Sequence, residues 1–168
     1  MDLQLIKQYF SNKIVVFNHS STIDYKLTTK EKEIFYQIGL PNYGGYGGSY
    51  IMLKDLSLID NRYIKFATRK GDEKDYFRFL DTETHKVVFK FYSNEYHVMN
   101  SSLEAYLNYI YIDDFFFNNV IDPEIFGNYE LNHQKYADEL KKKLLEYNDV
   151  VLKGTWSAMI EEMGYGVV

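Results

Sequence analysis

DYFRFLDTETHKVVFKFYS, residues 75–93, is the stretch from which the fold of this chain can be read. Two runs rich in Phe, Tyr and Val flank a cluster of Asp and Thr, residue types whose side chains hydrogen-bond their own backbone in turns. Two such runs across so short a gap form a β-hairpin, and a hairpin is antiparallel. Alternation predicts that Phe77 and Phe79 share the core face with Val87, Phe89 and Phe91, leaving Tyr76, Arg78, Lys90 and Tyr92 on the other face.

Further strand-like runs lie at 50–53, 63–68 and 97–99. The gaps between them are too short for crossover helices, so the whole sheet is expected to be antiparallel. Helix signals flank it on both sides. Thr28 and Glu31 spell a capping box that opens TTKEKEIFYQI, and Gly39 with Pro41 ends that helix. Ser101 and Glu104 spell a second box at the head of a helix carrying Leu103, Leu107, Ile110 and Phe117. Asp122 before Pro123 reads as one further turn through Phe126 to Gly127. A helix over 134–147 places Tyr136, Leu140, Leu144 and Tyr147 on one stripe, and a last helix runs from Thr155 to Gly164. MDLQLIKQYF suits a short helix with Leu3, Ile6 and Phe10 on one side, and KIVVF a brief strand. The pattern is α+β: a single domain over residues 1–168, with a mostly antiparallel sheet flanked by helices.

Composition narrows the function. A chain of 168 residues buries about 70% of its unfolded surface. The net charge of −5 argues against nucleic acid as a partner, because a phosphate backbone demands a basic surface. No apolar run reaches the ~18 residues of a membrane span, and the start lacks the basic and apolar blocks of a secretory signal, so a cytoplasmic location is expected. With no cysteine, the chain can form no disulfide and no thiolate metal site.

LPNYGGYGGSY, residues 40–50, looks like a phosphate-cradling loop and fails both tests for one. A dinucleotide fingerprint begun at Gly45 and Gly47 would need glycine where Tyr50 stands, and the order is helix to strand rather than strand to helix. A P-loop needs a Gly-Lys-Ser/Thr ending, and no lysine follows. The stretch reads as a flexible connector whose tyrosines either fold back on the core or contact a partner, the latter in keeping with the residue mixture of adaptable contact loops. His19, His85, His97 and His133 are too far apart for a metal motif, and no serine sits in an elbow with a base. Asp113 and Asp114 are adjacent on a helix, point about 100° apart and read as a solvated pair. Asp81 and Glu83 read as turn residues. No catalytic group, metal or cofactor is expected.

The order of these signals resembles a known family. IGLP closing the first capped helix, the YFRFLDTETHKVVFKF hairpin, VMNSSLEAYLNYI opening the central helix and WSAMIEEMGYG near the end are similar to the SUKH superfamily, within it the YobK-like subgroup. The resemblance spans roughly residues 30 to 165. Where the family has a threonine-glycine turn, this chain has His85 and Lys86, which implies a wider turn. The resemblance implies a cytoplasmic, non-enzymatic bacterial immunity protein that binds a cognate toxin domain, a nuclease or deaminase among the possibilities. A regulatory adaptor of the same fold, docking on an endogenous protein, is the alternative. On that reading Gly39, Leu40, Pro41, Asn100, Ser101, Ser102, Leu103 and Trp156 belong to the fold. Tyr43, Tyr46 and Tyr50 then serve as aromatic anchors for the partner, with Asp72, Glu73 and Asp75 of the acidic turn supplying charge.

Overall fold

The Asp2 side chain accepts from the Gln4 amide at 2.8 Å and so opens α1, Leu3–Phe10, whose Leu3, Ile6 and Phe10 are buried as their spacing requires. The computed structural model describes residues 2–45, 48–92, 95–122, 124, 128, 132–146 and 155–166. After α1 come a short strand β1, Ile14–Val15, and one turn of helix, α2, Ser21–Asp24. The capping box at Thr28 forms as expected: Thr28 Oγ1 accepts from the Glu31 amide at 3.2 Å and Glu31 accepts from the Thr28 amide at 2.7 Å. It opens α3, Thr29–Glu33, which widens into a π-turn over Ile34–Ile38.

Gly39 ends the helix at φ +85°. A Cβ there would lie 2.4 Å from Ile14 Cγ2 and 2.8 Å from the Val15 carbonyl oxygen, because β1 pairs directly with β2, Leu40–Pro41. Only glycine supplies both that dihedral and that clearance.

The main sheet has six antiparallel strands in sequence order: β3, Tyr43–Gly45; β4, Gly48–Ile59; β5, Tyr63–Arg69; β6, Tyr76–Asp81; β7, Val87–Phe91; and β8, His97–Asn100. The glycine stretch is therefore sheet, not a loose connector. Tyr43 pairs with Tyr50 and Gly44 with Ser49 as β3 and β4 form a hairpin. The 75–93 hairpin forms too, closed by the turn residues as expected. Asp81 accepts from the Glu83 amide and the Thr84 hydroxyl, and His85 adopts φ +58°, the left-handed position that a glycine fills more easily.

On β6 the faces are the reverse of the expected ones, whereas Val87 and Phe89 of β7 face the core and Lys90 the outer groove as expected. The register couples Tyr76 to Phe91, Arg78 to Phe89 and Leu80 to Val87, and directly opposed residues share a face. Tyr76, Arg78 and Leu80 thus point to the main core with Ile64 and Phe66, while Phe77 and Phe79 lie outside it. Both alternating sets are largely apolar, so polarity alone cannot choose between them.

The helices cover the inner face. α4, Leu103–Asn119, packs against β3, β8 and α3, and α5, His133–Leu145, packs against α4. α6, Thr155–Gly164, packs against α5. The cap of α4 sits one residue later than expected: Ser102, not Ser101, accepts from the Ala105 amide at 3.0 Å. Asp113 and Asp114 are not solvated but 1% and 2% exposed, since α4 is buried around most of its circumference, and Tyr9 of α1 donates to Asp114 at 2.8 Å. Asp122 Oδ1 accepts from the Glu124 amide at 3.0 Å, as the expected N-cap requires, while residues 123 and 125–127 of that turn and the Tyr147 end of the next helix lie outside the described residues.

Candidate functional site

Between the inner face of the sheet and α6 lies a cavity of about 450 Å³, within the size range of small-ligand sites. β6 sends Tyr76 and Arg78 into it, the β3–β4 hairpin adds Tyr43 and Tyr50, and α4 and α6 add Tyr106 and Trp156. Trp156 is fixed by its indole N–H, which donates to Asn100 Oδ1 at 3.2 Å. The alternation that makes β6 a strand is what delivers the guanidinium: with Leu80 seated against Val87 in the core, Arg78 must point the same way.

Arg78 is 1% exposed. Tyr50 lies under its guanidinium with the ring centroid 4.0 Å away, and the Tyr76 and Tyr106 rings follow at 5.5 and 5.7 Å. Nη1 meets Met99 Sδ, whereas Nε has no hydrogen-bond partner. None of the ion pairs among the described residues involves Arg78. Buried cations are normally matched by carboxylates, so a fully buried guanidinium with no carboxylate partner among the described residues is unusual. The Tyr43 and Tyr106 hydroxyls are likewise buried without a partner. Burial raises the Tyr76 phenol to about 12, against the opposing pull of Arg78, and pushes Tyr106 up in the same way. At neutral pH these phenols are therefore donors. At the rim, Arg69 is within 3.8 Å of Asp72, and Glu162 is exposed on α6. No His, Ser, Thr or Lys among the described residues lines the cavity. It gathers hydrogen-bond donors and positive charge in an aromatic enclosure, an arrangement suited to holding an anion.

The opposite face of the sheet carries a second feature, a groove of about 420 Å³. Phe77 and Phe79 lie edge to face at 6.2 Å, and Tyr96 stacks on Tyr63 at 3.8 Å while meeting Phe79 edge-on at 5.2 Å. Lysines cross this aromatic surface: Lys65 lies 4.5 Å from the Phe77 ring centroid and Lys90 5.6 Å from that of Tyr96. Lys74 and Asp75 of the β5–β6 turn close one end.

The expected contact residues separate accordingly. Tyr43 and Tyr50 are 4% and 5% exposed, inside the cavity, because their hairpin folds its ring-bearing face against α4 and β6. They cannot present a surface to a macromolecule. Tyr46 lies outside the described residues. Asp75 borders the outer groove, Asp72 accepts from the Tyr92 hydroxyl at 3.3 Å, and Glu73 is exposed and accepts from the Gly71 amide at 2.9 Å. Arg78, Phe77 and Tyr96 were passed over by the sequence reading, although the pairing of Leu80 with Val87 would have assigned the first two to their faces. Among the described residues, no three His, Asp or Glu side chains are grouped to hold a metal ion, and no helix is long and apolar enough to cross a membrane. No family model, no curated protein and no solved structure matches the chain.

Proposed function

We propose that this protein is a cytoplasmic immunity protein that neutralises a cognate toxin domain by direct protein–protein contact, and that the outer face of the sheet makes the contact. The observation that carries this reading is the groove over β5, β6 and β7, where the half-buried Phe77 and Tyr96, backed by the buried ring of Phe79, form an aromatic centre ringed by Lys65, Lys90 and Asp75. Interfaces concentrate their energy in such anchors and surround them with a charged rim that sets partner choice.

The test is co-expression with the toxin domain encoded beside this gene. Cells are expected to survive and a complex to co-purify. The reading fails if the folded protein gives neither protection nor a complex, or if no toxin-like gene lies next to it.

A further inference from the structure

The inner cavity is not absorbed by that function, and its central feature calls for a ligand. The guanidinium is 1% exposed, its Nε has no hydrogen-bond partner, and no carboxylate among the described residues pairs with its charge. The Tyr43 and Tyr106 hydroxyls are two more unmatched donors lining the same space. One face of the guanidinium is covered by Tyr50, so a ligand must approach along the edge, where Nε stands free while Nη1 is taken by Met99. Edge-on approach is the geometry in which arginine engages a carboxylate through two parallel hydrogen bonds.

Charge counting selects the head group. A single negative charge neutralises Arg78, whereas a phosphate, at about −1.5 to −2, would bury surplus charge among tyrosines. At the rim Arg69 lies against Asp72, and the Glu162 carboxylate, exposed on α6, is in water rather than beside the buried guanidinium. The walls select the body. Tyr76 and Phe89 stack nearly parallel at 5.9 Å, as do Tyr43 and Tyr50 at 6.2 Å, and Trp156 faces the same cavity, so the enclosure is built of flat rings. Entry is past Ala158 and Glu162, the exposed residues of α6 at the cavity.

We propose that this cavity binds a small planar monocarboxylate, an aromatic or heteroaromatic acid, with its carboxylate on Arg78, Tyr43 and Tyr106 and its ring against the aromatic walls. The site is independent of the outer groove.

Trp156 is the only tryptophan in the chain and lines the cavity, so its fluorescence reports occupancy. The full chain is titrated with benzoate, with benzamide as the uncharged analogue of the same shape, and with inorganic phosphate, each titration repeated by calorimetry. Benzoate is expected to bind saturably, benzamide at least tenfold more weakly and phosphate more weakly than benzoate. Arg78→Met is expected to lower benzoate affinity tenfold or more. Tyr106→Phe, which keeps the ring and removes only the hydroxyl, is expected to lower it several-fold and remains informative should the arginine variant not fold. Absence of saturable benzoate binding to the folded protein overturns the proposal, as do equal affinities for benzoate and benzamide, tighter binding of phosphate, or unchanged affinity in Tyr106→Phe.

Discussion

Consecutive residues of one strand supply the two surfaces on which this account rests, and they do so against polarity. β6 turns Tyr76, Arg78 and Leu80 toward the helices and Phe77 and Phe79 toward the outside. The cation is 1% exposed in an aromatic enclosure, while on the outer face the half-buried Phe77 lies beneath Lys65 and Phe79, 3% exposed, backs the same groove. A strand selected for packing alone would bury Phe77 as well and place the arginine in water. The inversion gives each face a binding character: inside, donors and charge for something small; outside, rings and a charged rim for something large. Stability is carried elsewhere on the inner face, by Ile64, Phe66, Leu80 and Val87, each 0% exposed.

The sharpest contrast between the faces should appear in Phe66→Ala. Phe66 packs between Phe35 and Tyr106, with ring centroids 5.9 and 5.6 Å away, and its removal is expected to cost about 3–5 kcal/mol in urea denaturation. A loss below ~1 kcal/mol would mean that the inner face is not the core.

Acid tests the outer side of the same strand. Burial opposes ionisation of Asp81, yet the Arg62 guanidinium, which donates to both oxygens at 2.9 and 2.7 Å, the Thr84 hydroxyl and the Glu83 amide together hold its carboxyl down at about 2, from an ordinary 3.8. A lowered value stabilises the fold above the unfolded group's range, and that stabilisation is lost as the pH falls through the folded value. About 2 kcal/mol is therefore expected to disappear between about pH 4 and pH 2. Asp81→Asn should flatten that limb of the curve of stability against pH. An unchanged limb would show that the Arg62 pair is not what protects the carboxyl.

A smaller effect of opposite sign is expected at Arg78. If the guanidinium is there to bind rather than to support the fold, Arg78→Met should leave stability unchanged or raise it by about 1 kcal/mol or more, as when buried ionic groups give way to apolar side chains of similar volume. A thermal melt showing a loss above ~2 kcal/mol would make Arg78 a structural residue. The smallest change belongs to Phe77→Ala. This half-buried ring on the outer face should cost less than about 1 kcal/mol in the same melt, although the account requires it for partner binding.

The sequence carried more of the fold than of the site. Capping at Thr28, the helix stop at Gly39 and the hairpin turn at Asp81 are all legible, because each rests on a local hydrogen bond or dihedral that residue type dictates. Facing was not legible, because in YFRFL both alternating sets contain rings and Arg can lie along either. Only the pairing of Leu80 with Val87 across the turn decides it. The glycine stretch failed for a related reason: Tyr43 and Tyr50 resemble a contact loop in composition, and it is their mutual pairing that folds them inward over Arg78. The burial of Asp113 and Asp114 is not legible because it depends on what packs around α4 from elsewhere in the chain, as Tyr9 of α1, more than a hundred residues away in sequence, does at Asp114.

The claim that the two faces serve two partners is tested most directly by the affinity of the cognate toxin domain for Phe77→Glu and for Arg78→Met, measured side by side by calorimetry. The account predicts at least a tenfold loss, about 1.4 kcal/mol, for the outer-face variant and no change for the cavity variant. Full affinity in Phe77→Glu together with a loss in Arg78→Met would contradict it.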